Sequence, residues 1–308
     1  MRVAPKRGAR PRVRLPVPIV RRCWWSAPAV LLAAACARGE SRPVDSAGVR
    51  TAAAGHEVVA VSPDLPDPGI RPTRPAYRAV AVVGGGTVSG TVTLDGPAPA
   101  DSGIAVEPAL VRACRRARVP DPPVEVQGGG VADAVVWLEG VGAGKPMPAA
   151  RRYEVALDGC RLTPRVVAAA AGGTLNVHGL DPMASQLVFA RGGAGGEAGR
   201  VLLRTAMSAP GQVVPDQAVL AEPGLVEARG ERPGWLRGWV LVFDQPYFAA
   251  TGAGGAFTLA DVPPGRYTLV AWHPRLGRVT QPVTVAAGQS VGATVTLRAP
   301  GTPAGAGR

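Results

Sequence analysis

The chain has 308 residues, of which 46 % are hydrophobic and 18 % charged, and it contains 41 Gly and 32 Pro. So many glycines and prolines exclude a fold of long helices and favour short strands joined by tight turns. The formal net charge is +12, but eight of the surplus positive charges lie in residues 1–35, which leaves +4 on the remainder. The charge therefore does not indicate a nucleic-acid partner.

Residues 1–35 have the layout of a secretory signal, with a basic stretch followed by the apolar run Cys23–Ala35. This run is too short for a membrane-spanning helix, which needs about 20 residues. It ends in Leu32-Ala-Ala-Ala-Cys36, which resembles the lipobox of bacterial lipoproteins. The resemblance implies cleavage before Cys36 and lipidation of that cysteine. The protein is therefore expected to be exported and lipid-anchored to the bacterial outer membrane or periplasm, and Ala37 after the cysteine favours the outer membrane. Cleavage by general signal peptidase and an uncleaved anchor are the alternatives.

Residues 36–79 are predicted to be a disordered tether between the membrane and the folded part. The segment is rich in Pro, Ser, Gly and charged residues and shows little apolar periodicity. It cannot bury enough apolar surface to offset the entropy lost on ordering. His56 within it is predicted to be solvated, and residues 300–308 are predicted to be a disordered tail.

Folding is predicted to begin near Val80, where strand patterns appear. Thr87–Leu94 alternates apolar and small polar residues, which predicts a strand with one buried face. Further strands are predicted at 130–140, 153–157, 165–171, 174–178, 186–190, 201–205 and 217–221. Such spacing is typical of β-sandwiches and barrels.

The stretch 224–274 predicts a three-stranded β-meander. Its strands are Trp239–Phe243, Ala256–Ala260 and Arg266–Trp272, each rich in β-branched or aromatic residues. Gly-rich and Pro-Pro-Gly sequences between them favour chain reversal. The fold class is therefore predicted to be all-β.

The four cysteines fit an exported protein. Cys23 lies in the signal and Cys36 is the proposed lipidation site, so Cys114 and Cys160 are the pair left in the folded part. In an oxidising compartment they are predicted to form a disulfide, which would stabilise the fold by roughly 4 kcal/mol. Two free buried thiols or a shared metal site are the rival interpretations, although no histidine lies near either cysteine in sequence.

Several blocks of sequence carry a family resemblance. They are 134–145, 155–164, 175–182, 234–251 and the segment Phe257-Thr-Leu-Ala-Asp-Val-Pro-Pro-Gly-Arg-Tyr-Thr-Leu-Val-Ala-Trp-His273. Together they resemble secreted bacterial cupredoxin-like proteins that end in a carboxypeptidase regulatory-like domain. That domain is a small transthyretin-like β-sandwich, which is also grouped with carbohydrate-binding-like folds. The family has cysteines in segments like those around Cys114 and Cys160, which adds to the disulfide prediction.

The resemblance implies two modules. A cupredoxin-like sandwich is expected at 80–244 and a carboxypeptidase regulatory-like module at 245–299. An interleaved arrangement is the alternative, because Thr87–Leu94 and Ala134–Glu139 resemble the opening strands of the regulatory-like fold.

The family's copper ligands do not carry over to this sequence. A type-1 copper site needs two imidazoles and a thiolate, usually with a weak thioether. The matching positions hold Ser185 and Pro233 in place of the histidines, Gly230 in place of the cysteine and Leu236 in place of the methionine. The resemblance therefore implies a scaffold with vacant ligand positions and no cofactor.

No other catalytic constellation is found in the sequence. His178 and His273 have no short metal-binding spacing and are interpreted as structural, and Glu222, Glu227 and Glu231 are interpreted as solvated. No nucleophile elbow, zinc-protease or phosphate-loop motif is present. The chain is therefore predicted not to be an enzyme.

Three functional hypotheses follow. The first is a non-catalytic binding or structural module at the cell envelope, which is attached to the membrane by its lipid anchor and recognises a protein or glycan. The second is carbohydrate binding, with Trp235, Tyr247 and Trp272 as stacking surfaces, although core packing is the simpler role for these aromatics. The third is residual copper or redox chemistry through His178, Met183 and Met207.

Overall fold

The structure, a computed structural model, describes residues 58–60, 62, 65–101, 103–120, 124–192 and 198–299. Regular structure in this part is strand, apart from a 3-10 turn at Pro108–Leu110 and the four-residue helix α1 at Val111–Cys114. The all-β prediction is therefore confirmed. Within these residues no helix has the length and apolar character needed to cross a membrane.

The strands are numbered in chain order. The early ones are β1 (Val58–Ala60), β2 (Arg78–Ala79), β3 (Gly86–Asp95), β4 (Ile104–Ala105), β5 (Arg118–Val119), β6 (Val126–Gln127), β7 (Gly130–Val131), β8 (Val135–Glu139) and β9 (Ala143–Gly144). The middle ones are β10 (Arg152–Leu157), β11 (Leu162–Thr163), β12 (Val166–Ala170), β13 (Thr174–Gly179), β14 (Ser185–Arg191), β15 (Ala198–Met207), β16 (Gln212–Asp216), β17 (Gly224–Arg232) and β18 (Arg237–Phe243). The last are β19 (Phe248–Ala250), β20 (Ala256–Val262), β21 (Gly265–His273), β22 (Gly277–Val285) and β23 (Ser290–Arg298).

The first β-sandwich, here called the inner sandwich, consists of β1 and β10–β18. One sheet has six strands in the order β1-β15-β14-β17-β18-β12, and the other has four in the order β11-β10-β13-β16. Alternate residues of the strands point into the shared core, as expected for packed sheets. The largest fully buried core side chains are those of Leu157, Leu162, Leu175, Leu187, Phe189, Met207, Leu220 and Leu236.

The second sandwich, here called the outer sandwich, consists of β3, β6–β8 and β19–β23. One sheet has the order β19-β8-β21-β22, and the other has the order β20-β3-β7-β6 with β23 also paired to β3. Its core is mainly small and branched apolar residues, with the fully buried Tyr247 among them.

The two modules are interleaved along the chain. Strand β3 pairs in parallel with β23 over nine residue pairs, and β8 pairs with β21. The outer sandwich is therefore built from residues 86–139 and 248–298, and the inner sandwich occupies most of the chain between them. The outer sandwich therefore contains strands from both sides of the expected boundary at 244/245. A parallel pair needs a long connection, and the one from β3 to β23 contains β10–β18, which are all the strands of the inner sandwich except β1.

The predicted β-meander is wrong in its pairing. Its three strands exist as β18, β20 and β21, but none of them pairs with another. Strand β18 lies between β17 and β12, β20 pairs with β3, and β21 lies between β8 and β22. The turn sequences set only local chain reversal, whereas partner choice follows from burial against distant strands.

One predicted strand, at 217–221, is a turn, and β16 lies just before it at Gln212–Asp216. The Asp216 carboxylate accepts the Val219 N–H at 2.8 Å, a side-chain interaction that stabilises turns. Val219 and Leu220 are nevertheless buried in the inner core. Their burial explains why the apolar pattern resembled a strand.

The sandwiches meet at a third apolar cluster, here called the junction. Sheet residues that face away from both cores form it, namely Val135, Trp137, Val166, Trp239, Leu241, Phe243, Val270 and Trp272, together with Ile70. The Trp137 and Phe243 rings lie 5.5 Å apart, and Phe243 stacks on Phe248 at 4.6 Å. Strands β8 and β18 are thus buried on both faces, which is why they are continuous apolar runs in the sequence.

The predicted tether is ordered at its C-terminal end. Residues 65–79, here called the strap, lie across the junction, and Ile70 is buried in it. The Trp272 indole N–H donates to the Pro66 carbonyl at 2.9 Å, and Thr73 donates its N–H and hydroxyl to the Asp244 carboxylate at 2.7 Å each. The fold therefore begins before Val80. The composition of the strap indicated disorder because the groups that hold it are remote in sequence. Its hydrogen-bond partners and the apolar surface that it covers come from distant parts of the chain.

Glu227 corrects another expectation, because its side chain is buried rather than solvated. Its carboxylate accepts the N–H of Ser62 at 3.0 Å and the Ser62 hydroxyl at 2.5 Å. These bonds compensate part of the cost of burying a charge. They also hold the chain before the strap against β17.

Candidate functional site

The four positions that the resemblance assigns to copper ligands lie near the turn between β17 and β18. Ser185 begins β14, and its neighbour Gln186 pairs with Arg232 at the end of β17. Gly230 is also in β17, and Pro233 and Leu236 lie in the turn. Although the first and last of the four positions are 236 − 185 = 51 residues apart in sequence, the structure thus brings them to one region of the inner sandwich.

The backbone of the turn between β17 and β18 packs directly against Gly230. Its N–H donates to the Leu236 carbonyl at 3.0 Å. A Cβ atom placed on Gly230 would lie 2.1 Å from the Pro233 carbonyl oxygen and 2.8 Å from Leu236 Cβ. The turn therefore has no room for any side chain at 230 in this conformation, a thiolate included.

The side chains of Ser185 and Leu236 are both buried. Leu236 is 1 % exposed and belongs to the inner core, and Ser185 is 2 % exposed. The Ser185 hydroxyl oxygen is buried without a hydrogen-bond partner in the described part of the chain. A leucine side chain supplies no donor atom for a metal, and a neutral hydroxyl is a poor copper ligand beside imidazole or thiolate.

The predicted disulfide between Cys114 and Cys160 is confirmed, with the two Cα atoms 5.0 Å apart. Asp181 supports it, because its buried carboxylate accepts the N–H groups of Gly159 and Cys160 at 2.7 Å each. The Trp235 indole N–H donates to the Cys160 carbonyl at 3.2 Å. The disulfide thus ties helix α1 to the loop before β11.

The residues of the copper or redox hypothesis do not meet. Met183 packs on the disulfide, with its sulfur 3.2 Å from Cys160 Sγ. Met207 is buried in the inner core, and His178 lies on β13 with its Nε2 bonded to the Glu154 carboxylate. That bond is the main cause that lowers the pKa of Glu154. Across the described residues, no group of three or more His, Cys, Asp or Glu side chains could hold a metal ion.

His273 is a buried histidine at the end of β21, only 1 % exposed. Its Nδ1 accepts the backbone N–H of Arg275 at 3.1 Å, which requires that nitrogen to be unprotonated. Burial, with smaller effects from the positive charges of Arg165 and Arg275, lowers its pKa from 6.5 to about 3. The imidazole is therefore neutral at pH 7 and acts as a structural acceptor.

We expect this histidine to make stability depend on pH. The folded pKa lies below the unfolded one, so the unfolded state takes up a proton first, and the free energy of unfolding falls as pH drops below 6.5. Between pH 6.5 and about 4.5, above the range of most carboxylates, the loss should be on the order of 2–3 kcal/mol. Urea unfolding at several pH values measures it. His273→Gln should flatten this slope, and an unchanged slope in that variant would contradict the assignment.

Two of the three predicted stacking residues are inaccessible. Trp272 and Tyr247 are both 0 % exposed, so neither can stack on a glycan. The Tyr247 hydroxyl accepts the Lys145 N–H at 2.9 Å and donates to the Asp261 carbonyl at 3.1 Å. Trp235 is half-buried and packs against the apolar residues around the Cys114–Cys160 disulfide. Core packing therefore explains the aromatics better than ligand stacking does.

A cleft of about 480 Å³ lies beside the junction, and sequence reasoning missed it. Its walls come from the strap, from the segment after β8 and from the segment after β18, with Arg71, Arg74, Glu139 and Asp244 as the charged lining residues. Trp137 also lines the cleft, although its side chain is only 3 % exposed. No local motif could have predicted this cleft, because three separate parts of the chain form it.

Comparison with family models gives one match. Residues 240–298 match the carboxypeptidase regulatory-like domain. The matched range contains β19–β23 and most of β18, whereas β3 and β8, which complete the two sheets of the outer sandwich, lie outside it. No curated protein sequence matches the chain.

Among solved structures, the chain is similar to amicyanins. Amicyanin from Paracoccus versutus is 22 % identical, with 32 % of this chain and 85 % of that chain covered and a TM-score of 0.25. A reduced Cu(I) amicyanin variant at pH 4 is 18 % identical, with 32 % and 86 % covered and the same TM-score of 0.25. A likeness this slight carries no argument about function. The chain thus contains a segment similar to the carboxypeptidase regulatory-like domain, within an all-β fold of two sandwiches.

Proposed function

We propose that the chain is a non-catalytic binding or structural module of the bacterial cell envelope, built on a cupredoxin-like scaffold that lacks a type-1 copper site. The observation that carries the proposal is the closed turn at Gly230. The positions that the family uses for ligands converge, yet they supply no imidazole, thiolate or thioether, and the backbone leaves no space for a thiolate at Gly230. Electron transfer would need a site that these residues do not supply.

The proposed location is outside the cytoplasm, with a lipid on Cys36 as the anchor. Cys36 itself lies outside the described residues, so the support is the lipobox resemblance and the signal-like residues 1–35. The Cys114–Cys160 disulfide supports export as well, because disulfides persist mainly in oxidising compartments.

The proposed partner is an envelope protein or glycan, and no nucleic acid is involved. The cleft beside the junction is the binding surface we favour, since it is concave and is lined by charged side chains of both signs.

A copper titration tests the proposal. We expect the purified chain, with its disulfide intact, to show no thiolate-to-copper absorption band and no micromolar or tighter binding by calorimetry. The titration should use a Cys23→Ser, Cys36→Ser background, so that thiols outside the folded part do not bind the metal. An amicyanin titrated under the same conditions serves as the positive control.

Stoichiometric, tight binding by this variant would contradict the proposal and return attention to His178 and the methionines. In that case His178→Gln, Met183→Leu and Met207→Leu would identify the ligands. Loss of binding in one of them would then support the redox hypothesis.

A further inference from the structure

Two long edge strands of the outer sandwich, β22 and β23, differ in how they are protected. Each has nine residues and, in the part of the chain that the structure describes, pairs with one strand, β22 with β21 and β23 with β3. The outer face of the β8-β21 sheet is covered at the junction. Strand β23 belongs to the opposite sheet, away from the inner sandwich.

The backbone hydrogen bonds show which groups of β23 point outward. The Thr87 N–H donates to the Gln289 carbonyl at 2.9 Å, and the Ala299 N–H donates to the Asp95 carbonyl at 3.4 Å. The backbone N–H and C=O groups of odd-numbered residues in β23 therefore face β3. The same groups of even-numbered residues face away from it. These residues, Ser290, Gly292, Thr294, Thr296 and Arg298, are all exposed.

Strand β23 lacks the features that normally prevent pairing at an edge. Proteins protect edges with proline, bulges or charged side chains. Strand β22 contains Pro282 and Arg278, whereas β23 has no proline, no register shift along β3, and one charged residue, Arg298, at its end. An extended edge of this kind is a template for another strand.

We propose that β23 pairs antiparallel with β23 of a second copy of the chain, about a two-fold axis at Thr294. This inference goes beyond the proposed function. The register places Thr294 opposite Thr294, Gly292 opposite Thr296 and Ser290 opposite Arg298. Each residue whose backbone N–H and C=O groups face outward is then opposite another such residue of the second copy. The five pairs can form two backbone hydrogen bonds each, or about ten in total.

The side chains favour a second copy over a charged peptide as the occupant. In this register no like charges are opposite each other, because the single arginine faces a serine. The threonine pair at the axis is a favourable cross-strand contact. A two-fold interface requires a surface that is complementary to itself. The sequence of β23 meets this requirement in the proposed register, because no pair of opposite residues clashes in charge.

Sedimentation of the full chain in the Cys23→Ser, Cys36→Ser background tests the dimer between about 1 and 100 µM. We expect a concentration-dependent dimer. Thr294→Pro removes an outward N–H without disturbing the bonds to β3, and should weaken the dimer about thirtyfold through two lost hydrogen bonds. Thr284→Pro, on the neighbouring edge strand β22, is the matched control and should leave the dimer intact.

A charge pair tests the register itself and does not rely on the proline variant folding. Thr294→Lys and Thr294→Glu should each weaken self-association, because like charges would meet at the axis. Mixing the two variants should restore a dimer that contains one of each. A monomer at every concentration overturns the proposal, and so does a dimer that neither the proline nor the charge variants weaken.

Discussion

Gly90→Ala is expected to destabilise the protein by more than about 3 kcal/mol, or to prevent folding, because overpacking in a well-packed region forces the backbone to move. Gly90 lies in β3 between β20 and β23, paired with Phe257 and Ala293. A Cβ placed on it would lie 1.6 Å from the Ala293 carbonyl oxygen. The obstruction is backbone, so no side-chain rotation relieves it. The parallel pair that connects the two ends of the outer sandwich would have to separate.

The control is the same substitution one residue away on the facing strand. Gly292 pairs with Ser89, and a Cβ placed on it meets no heavy atom within 4 Å. Gly292→Ala should change the free energy of unfolding by no more than about 0.5 kcal/mol. Urea unfolding of both variants at one low protein concentration gives the comparison. Equal stability of the two variants would contradict the β3–β23 pairing.

Trp272→Ala is expected to lower the free energy of unfolding by about 3–5 kcal/mol, the range for a large aromatic removed from a core. Among the described residues, Trp272 is the largest fully buried side chain, and it lies in the junction. Its removal would leave a cavity between the sandwiches and an unpaired Pro66 carbonyl in the strap. Chemical denaturation followed by circular dichroism measures the loss.

Trp272→Phe separates packing from hydrogen bonding. The phenyl ring keeps much of the apolar contact but cannot donate to Pro66, so the expected loss is about 1–2 kcal/mol. The strap should also become easier to cut by protease in both variants, because its indole contact is missing. A loss of less than about 1 kcal/mol in Trp272→Ala would show that the junction does not stabilise the fold.

Much of the local structure was predictable because it depends on local chemistry. Alternation at Thr87–Leu94 and the apolar run at Trp239–Phe243 predicted β3 and β18, and the cysteine count predicted the disulfide. The turn at 217–221 was mistaken for a strand, since Val219 and Leu220 are buried without being extended. Runs of buried apolar residues usually form strands. A turn that packs on a core can contain the same apolar residues without being extended.

The candidate site was predictable only as a set of positions. Motif resemblance selected Ser185, Gly230, Pro233 and Leu236 from distant parts of the chain, and the structure places them near one turn. The closed backbone at Gly230 and the cleft beside the junction were not predictable. Both depend on distances between segments that are far apart in sequence.

The sequence by itself determined that this protein is all-β and that Cys114 and Cys160 are the cysteines available to pair in the folded part. Only the tertiary structure decided which strands pair, that one sandwich is inserted in the other, and that the strap is ordered. The physical reason is that side-chain alternation and turn chemistry act over a few residues. The choice of pairing partner instead depends on apolar faces that are complete only when strands distant in sequence meet. Strands β3 and β23 are an example, because they are neighbours in one sheet although about 200 residues separate them in the chain.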